Sequence, residues 1–491
     1  MIYKSCIEKV FGKYPAILGF FFLIIMPHFV DAQVTIPKIF ASNMVLQQNS
    51  EVNIWGWAKA GEKVSVTGSW NNKKVKTTTG SDNKWSLKLK TPKATSDSVS
   101  YILIIEGSNK ITLDNVLIGE VWLLSGQSNM ELPLKGWSVP IVGGKEAIES
   151  ANYPNIRFIV AGHQSTSTPQ TDIAKNWVNF TWTKCSPASA KEFSALGYFF
   201  ARELHSDLKI PIGLVVSAWG GSSCEAWTKT ASLQSVNDYK DKAPWVSKNK
   251  DDNQTPTVLY NGMITPLVPF TFAGVLWYQG ETNVGRPEQL TQLFPAMIKG
   301  WRESWKRNKF PFYFVQLCPW GGNGGYSLPE AWEAQASALS LNNTGMAATL
   351  DVGDEKDIHP VRKEQVGHRL ALIAKAKNYG YTSLEYSGPQ YRSMKIEGSK
   401  IRLSFDHCGS GLKALNGVLT QFEIAGDDKK YFQADATIDG NNVLVWSRTI
   451  SVPKYVRYAW SGTATASLYN LEDLPAAPFR TDIPGYLQVI H

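Results

Sequence analysis

The apolar run Val116–Leu124 and the polar turn after it constrain this chain more than any other feature. A run of this length that ends in Ser125-Gly126 predicts a buried strand that stops in a tight turn. Gln127 and Ser128 then lie at the carboxyl end of a central strand, where open α/β sheets place their chemistry. A serine in an ordinary turn is the simpler interpretation of this motif taken alone.

Residues 1–32 have the pattern of a secretory signal peptide. Lysines precede the apolar run Ala16–Met26, and small residues stand at both positions that a signal peptidase reads, Val30 and Ala32. Cleavage is expected before Gln33. Because the run is too short to span a membrane, we expect an exported protein, secreted or periplasmic, with no membrane span.

The composition is that of a globular protein and argues against a nucleic-acid partner. The formal charge of +8 is spread along the chain, whereas nucleic-acid-binding proteins cluster their basic residues on one face. The 18 tryptophans suit a carbohydrate site as well as core packing. The spacing of the cysteines and histidines predicts no metal site, and we expect no cofactor. Disulfide pairing stays open among the four cysteines of the mature chain, which are Cys185, Cys224, Cys318 and Cys408.

The periodicity changes twice along the mature chain and predicts three domains. Residues 33–112 alternate in short strands separated by turns, which is typical of a β-sandwich. Residues 113–386 alternate helical patterns with apolar strands, which favours α/β architecture with a parallel sheet covered on both faces. Residues 136–183 lack this rhythm and are a candidate insertion. Residues 387–491 return to short strands and predict a second all-β domain.

The strongest elements of the middle region are two helices and three strands. The helices are predicted over Phe193–Leu208 and Gln365–Ala376. The apolar strands are predicted over Ile212–Val216, Phe272–Tyr278 and Pro311–Leu317.

Three polar segments lie at the predicted sheet edge: two follow strands, and one precedes the closing helix. After the first strand, Gly220 and Gly221 let backbone N–H groups approach a ligand, although a plain turn explains them equally well. After the second strand, Gln279 and Asn283 offer amide donors or merely satisfy loop backbone groups. Before the closing helix, His359 stands among carboxylates and is a candidate general base, although a lone histidine is more often structural.

Four motifs in this order resemble the sialate O-acetylesterase family of SGNH-type hydrolases. They are Gly-Gln-Ser-Asn-Met at 126–130, Trp-Gly-Gly-Ser at 219–222, Trp-Tyr-Gln-Gly-Glu-Thr-Asn at 277–283 and Asp-Ile-His-Pro at 357–360. The segments Ala41–Gln47, Val452–Trp460 and Leu468–Arg480 resemble the family's opening and close, so the likeness spans nearly all of the mature chain. The resemblance implies a three-layer α/β/α catalytic domain flanked by two β domains.

The resemblance also implies a serine esterase mechanism. Ser128 is the expected nucleophile and His359 the expected base. The expected oxyanion donors are the backbone N–H groups of Ser128 and Gly220 together with a side-chain amide, from Gln279 or its rival Asn283.

The acid that supports His359 stays open at the sequence level. Many members of the superfamily place an aspartate three residues before the histidine, where this chain has Lys356. Asp357 is the expected acid, and Asp354, Asp351 or a Ser-His dyad without an acid are the alternatives.

The expected substrate is an O-acetylated sialic acid, and acetylated xylan or another plant polysaccharide is the alternative within enzymes. An inactive carbohydrate-binding protein is the alternative of another class, but both Ser128 and His359 are present. Sialic acid carries a carboxylate, so an arginine in the pocket would favour it. The candidates are Arg286, Arg457 and Arg480.

Overall fold

The computed structural model describes residues 33–96, 99–174, 181–322 and 328–483. The predicted signal peptide, residues 1–32, lies outside the described residues.

The strand Lys110–Gly126 lies at the centre of the main sheet. Its second half, which includes the predicted apolar run, is buried throughout. Ile212–Ala218 pairs with it in parallel on one side and Gly274–Tyr278 on the other. Across the sheet the strand order is Thr344–Ala347, Phe312–Val315, Gly274–Tyr278, Lys110–Gly126, Ile212–Ala218, Tyr153–Val160 and Thr183–Cys185. Every neighbouring pair is parallel except the last.

Helices cover both faces of this sheet. Because successive strand residues point to opposite faces, Trp122 and Leu124 join one core cluster while Val121 and Leu123 join the other. The first cluster contains apolar residues of the helices Ala195–Leu208 and Lys363–Asn378, and the second contains those of Pro287–Ser304. This confirms the predicted three-layer α/β/α domain. The other α-helices are Ser128–Glu131, Gly144–Glu149, Pro187–Ala190, Thr230–Leu233 and Leu328–Ala336.

Short helical turns connect these elements. A π-helical turn spans Tyr260–Ile264. The 3₁₀ turns are Cys224–Trp227, Asn237–Tyr239, Thr265–Leu267, Glu281–Asn283, Ser337–Ser340 and Leu415–Gly417.

The N-terminal region is built from strands, as predicted, and it shares a strand with the central sheet. The first half of Lys110–Gly126 pairs with Tyr101–Glu106 in an antiparallel sheet, and its second half enters the parallel sheet. The boundary predicted between residues 112 and 113 therefore falls inside one continuous strand. The remaining strands of this region are Val45–Gln47, Glu51–Trp57, Lys63–Gly68, Lys74–Thr78 and Lys84–Lys90.

The C-terminal region is also all-β. One antiparallel sheet has the order Gln390–Glu397, Lys400–Asp406, Asn442–Trp446 and Asp435–Asp439. A second has the order Phe432–Gln433, Phe422–Ala425, Tyr455–Tyr458 and Phe479–Arg480, and Leu412–Ala414 pairs with Leu468–Asn470.

The segment 136–183 differs from the expectation of an insertion. Its strand Tyr153–Val160 pairs in parallel with Ile212–Ala218 and belongs to the central sheet. The sequence pattern hides this strand because it contains Pro154 and the buried Arg157. The Arg157 guanidinium donates to the backbone carbonyls of Pro154, at 2.6 Å, and Asn43, at 2.9 Å, which compensates for its burial.

The four cysteines of the described chain are free and buried thiols. Among the described residues, no helix has the length and apolar character needed to cross a membrane.

Candidate active site

The turn that carries Ser128 is held at the carboxyl end of the central strand by a close backbone contact. Gly126 has a φ of +134°, and a Cβ built there would lie 2.1 Å from the carbonyl oxygen of Tyr278. Only glycine tolerates both the conformation and the contact. The backbone N–H of Gln127 donates to the same carbonyl at 2.9 Å. Ser128 follows as the first residue of the helix Ser128–Glu131.

His359 meets Ser128 although 231 residues separate them in the chain. The distance between His359 Nε2 and Ser128 Oγ is 2.9 Å, which is a hydrogen bond. His359 lies in the loop that precedes the helix Lys363–Asn378, so the parallel sheet brings both segments to one edge. This is the contact between a hydroxyl and a base that an activated serine requires.

Among the candidate acids, Asp357 is the one beside His359. Asp357 Oδ1 lies 3.5 Å from His359 Nδ1 and accepts the backbone N–H of His359 at 2.8 Å. Asp351 instead forms a bidentate ion pair with Arg369, at 2.7 and 2.5 Å. Asp354 accepts the backbone N–H of Lys356 at 2.8 Å.

The surroundings of His359 favour its neutral form. Burial lowers the pKa of His359 below its ordinary value, and the charge of Lys363 lowers it further, while Asp357 opposes both effects. A neutral imidazole can accept a proton from Ser128, so the lowered pKa suits a general base near neutral pH.

Asn129, for which the sequence predicts no role, connects the parts of the site. Its side chain is 2% exposed and donates to the Glu281 carboxylate at 2.6 Å and to the Ile358 carbonyl at 3.0 Å. It accepts from Lys363 Nζ at 2.6 Å. One amide thus ties the turn that carries Ser128 to the loop that carries His359. Its place inside the Gly-Gln-Ser-Asn-Met motif was the available signal.

Lys363 and Glu281 are two buried ionisable residues that both hydrogen-bond to the Asn129 amide. Burial lowers the pKa of the fully buried Lys363 to about 8, and burial raises the pKa of Glu281. The Lys363 ammonium also lies 4.9 Å from the centre of the Tyr278 ring. No hydrophobic periodicity predicts a buried lysine, so the sequence carried no signal for this residue.

Gly220 borders Ser128, but its backbone N–H is engaged. A Cβ built on Gly220 would lie 3.3 Å from Ser128 Cβ. The Gly220 N–H donates to Glu131 Oε2 at 2.6 Å. Glu131 Oε1 in turn lies 2.7 Å from His163 Nε2.

Gln279 and Asn283 lie in a buried network rather than against Ser128. Gln279 Nε2 donates to the Ser222 carbonyl at 3.0 Å and to Asn283 Oδ1 at 2.8 Å. Asn283 Nδ2 donates to Glu225 Oε2 at 2.9 Å. Both N–H groups of Gln279 are therefore used, and the assignment of either amide to an oxyanion hole stays a prediction.

The three arginines considered for a substrate carboxylate each have a protein carboxylate as partner. Arg286 pairs with Glu225 at 2.8 Å. Arg457 pairs with Glu423 at 2.7 Å and Arg480 with Glu333 at 2.6 Å.

Trp137 is an exposed aromatic residue beside His359. Its side chain is 50% exposed, and its ring centre lies 5.0 Å from that of His359 at an interplanar angle of 84°. A half-exposed indole next to a reacting centre offers an apolar face to a sugar ring. Its position in the irregular segment 136–183 gave no sequence signal.

Comparison with known proteins shows which family this chain resembles. The model of a family described as carbohydrate esterase, sialic acid-specific acetylesterase matches residues 118–375. The sialate O-acetylesterase of Rattus norvegicus is 28% identical over 508 residues, which cover 90% of this chain and 93% of that protein. The sialate O-acetylesterase of Homo sapiens is 28% identical over 494 residues and covers 89% of this chain and 90% of that protein.

A solved structure is similar over nearly the whole chain. The crystal structure of a carbohydrate acetylesterase from Xanthomonas citri has a TM-score of 0.83 and 36% sequence identity. The match covers 92% of this chain and 100% of that one.

Proposed function

Because this chain belongs to the carbohydrate esterase family of sialic acid-specific acetylesterases, we propose that it is an exported serine esterase that removes O-acetyl groups from sugars through an acyl-enzyme. Carboxylic ester hydrolysis is its reaction class. The observation that carries the proposal is the 2.9 Å contact between Ser128 Oγ and His359 Nε2 at the carboxyl edge of the sheet.

In the first half-reaction Ser128 Oγ attacks the acetyl carbonyl carbon, and His359 Nε2 takes the hydroxyl proton. The carbonyl π electrons move to oxygen and give a tetrahedral oxyanion. When this intermediate collapses, the bond to the sugar oxygen breaks, and the departing alkoxide takes the proton from His359. Ser128 is left as its acetyl ester.

In the second half-reaction water replaces the sugar. His359 takes a proton from water as the water oxygen attacks the acetyl carbon, and the proton passes to Ser128 Oγ as that bond breaks. Acetate leaves and Ser128 is restored.

Asp357 is the proposed acid of a Ser-His-Asp triad. Its carboxylate lies 3.5 Å from His359 Nδ1 and favours the tautomer with a proton there, which leaves Nε2 free to accept. The Asp357 side chain is 40% exposed, so solvent screens its effect more than in a buried triad.

The proposed oxyanion hole uses the backbone N–H groups of Ser128 and Gly220. Gln279 is the proposed amide donor and Asn283 its rival. Since both N–H groups of Gln279 are hydrogen-bonded within the protein, this donor requires a rearrangement of the Ser222 contact.

O-acetylated sialic acids are the first candidate substrates, because the curated relatives are sialate O-acetylesterases. Neutral acetylated polysaccharides such as xylan are the second candidate. A specific observation favours them: the candidate arginines Arg286, Arg457 and Arg480 already face carboxylates. An arginine in such a pair would have to share its charge with a substrate carboxylate.

Hydrolysis of p-nitrophenyl acetate by the purified chain and by Ser128→Ala tests the reaction. We expect activity in the wild type and its loss in the variant. Wild-type inactivity would favour a protein that only binds carbohydrate, and an active variant would refute Ser128 as nucleophile. A parallel assay on O-acetylated sialic acid and acetylated xylan then shows which of the two is the substrate.

A further inference from the structure

The Glu131 carboxylate accepts a hydrogen bond from the Gly220 N–H, which the proposed chemistry needs as a donor to the oxyanion. Glu131 is the last residue of the helix Ser128–Glu131, one turn after the nucleophile, so both side chains lie on one side of that turn. Its Oε2 accepts the Gly220 N–H at 2.6 Å. A Cβ built on Gly220 would lie 3.2 Å from this oxygen and 3.3 Å from Ser128 Cβ. The Glu131 carboxylate thus lies beside Ser128 and is hydrogen-bonded to the N–H group that is proposed to bind the oxyanion.

One histidine, His163, holds the Glu131 carboxylate in place. His163 Nε2 lies 2.7 Å from Glu131 Oε1. The His163 ring stacks on Trp219, with ring centres 4.2 Å apart and an interplanar angle of 7°. Because Trp219 directly precedes Gly220, the same turn carries the donor and the platform for the histidine. Glu131 is 14% exposed at its side chain, so solvent reaches it only partly.

The Gly220 N–H is fixed independently of Glu131. The Trp219 N–H donates to the Gly126 carbonyl at 3.0 Å, and Asn253 Nδ2 donates to the Gly220 carbonyl at 2.7 Å. These bonds hold the two peptide groups on either side of the one that carries the Gly220 N–H, and the carbonyl of that central peptide group, from Trp219, accepts the Ser222 N–H at 3.3 Å. The donor therefore keeps its direction when the carboxylate leaves.

We propose that Glu131 is a specificity-determining residue that occupies the oxyanion hole until an acetylated sugar displaces it. The inference rests on the proposed function. A displaced carboxylate needs a new hydrogen-bond donor, and hydroxyl groups beside the ester of a sugar supply one. A simple acetyl ester has no such hydroxyl, so it must displace a charge-assisted hydrogen bond without compensation. Glu131 thus selects acetylated sugars by disfavouring esters that lack neighbouring hydroxyl groups.

Two variants separate this role from a structural one. Glu131→Gln keeps the shape and weakens the bond to Gly220 by removing the charge, whereas Glu131→Ala removes the bond. Glu149→Gln is the matched control, because Glu149 is exposed and its carboxylate only reaches Lys145 at 4.0 Å. The substrates are p-nitrophenyl acetate, a methyl xyloside with one O-acetyl group and free hydroxyls, and the same xyloside with those hydroxyls O-methylated.

We expect kcat/KM for p-nitrophenyl acetate to rise about tenfold in Glu131→Ala and less in Glu131→Gln, as loss of a competing charged hydrogen bond predicts. The preference for the free over the O-methylated xyloside should fall in the same order. Acetate, which competes for the same donor, should inhibit the variants at lower concentration than the wild type.

An unchanged preference between the two xylosides, or a lower rate on p-nitrophenyl acetate with unchanged thermal unfolding, would overturn the proposal. If Glu131→Ala does not fold, the same measurements on Glu131→Gln decide the question. Loss of activity in Ser128→Ala is measured separately, so a failed esterase mechanism is distinguishable from a failed role for Glu131.

Discussion

Two histidine–carboxylate pairs flank Ser128, and they differ in what the histidine contacts. On the proposed base side, His359 contacts Ser128 Oγ at 2.9 Å, while its carboxylate partner Asp357 lies 3.5 Å from Nδ1. On the proposed oxyanion side, His163 contacts the Glu131 carboxylate directly at 2.7 Å, and that carboxylate accepts the Gly220 N–H.

Each of the two histidines has a tryptophan beside it, and the two ring contacts differ in geometry. Trp137 meets the His359 ring at 84° and is half exposed, whereas Trp219 stacks flat on His163 at 7°. Residue types alone therefore do not assign a role to a histidine. A histidine whose Nε2 faces a hydroxyl is arranged for proton transfer, and one whose Nε2 faces a carboxylate is arranged to position that carboxylate.

The largest effect is expected from Asp357→Asn on the base side. Loss of the carboxylate removes control over the His359 tautomer, and we expect kcat to fall about a hundredfold, less than for a buried triad acid because the Asp357 side chain is 40% exposed. Since Asp357 raises the pKa of His359, its loss lowers that pKa, and the acidic limb of the pH profile should move to lower pH. Steady-state kinetics across pH measures both.

Asp354→Asn is the matched control, because Asp354 only accepts a backbone N–H in the same loop. An equal loss in both variants would contradict a specific role for Asp357. Near-wild-type kcat in Asp357→Asn would rule out that role altogether and leave a Ser-His dyad.

A smaller effect is expected from Trp137→Ala. Removal of a ring face beside His359 should raise KM for the acetylated sugar about fivefold, as expected for one aromatic contact, with a smaller change for p-nitrophenyl acetate. Trp137→Phe should restore part of the difference. Equal changes on both substrates would show that the ring supports His359 rather than the sugar.

The smallest effect is expected from Lys363→Gln, which keeps a donor for Asn129 and removes the charge. Because the Lys363 charge lowers the pKa of His359, its loss raises that pKa, and the acidic limb should move to higher pH, opposite to Asp357→Asn. Lys356→Gln removes an exposed charge from the loop that carries His359 and serves as the control. A shift to lower pH in Lys363→Gln would refute this electrostatic account.

Much of the framework could be predicted from the sequence, because the apolar pattern records burial. The run Val116–Leu124 lies inside the buried half of Lys110–Gly126, and the helix predicted over Phe193–Leu208 is observed over Ala195–Leu208. The pairing of Ser128 with His359 followed from their places at the ends of parallel elements. Family resemblance supplied the reaction class that periodicity alone does not carry.

The parts that could not be predicted depend on side-chain contacts between distant segments. Asn129 and Lys363 are polar residues in buried positions, where the hydrophobic pattern has no information about partners. Glu131 is another case, because its bond to Gly220 joins residues 89 positions apart. The strand Tyr153–Val160 was missed because hydrogen bonds, not apolar character, compensate for the burial of Arg157.

Rapid-quench peptide mapping during the first turnover of p-nitrophenyl acetate tests the acyl-enzyme at Ser128 most directly. We expect a burst of p-nitrophenol matched by one acetyl group on the peptide that contains Ser128, with neither in Ser128→Ala. An acetyl group on another residue, or a burst that persists in Ser128→Ala, would contradict an acyl-enzyme at Ser128.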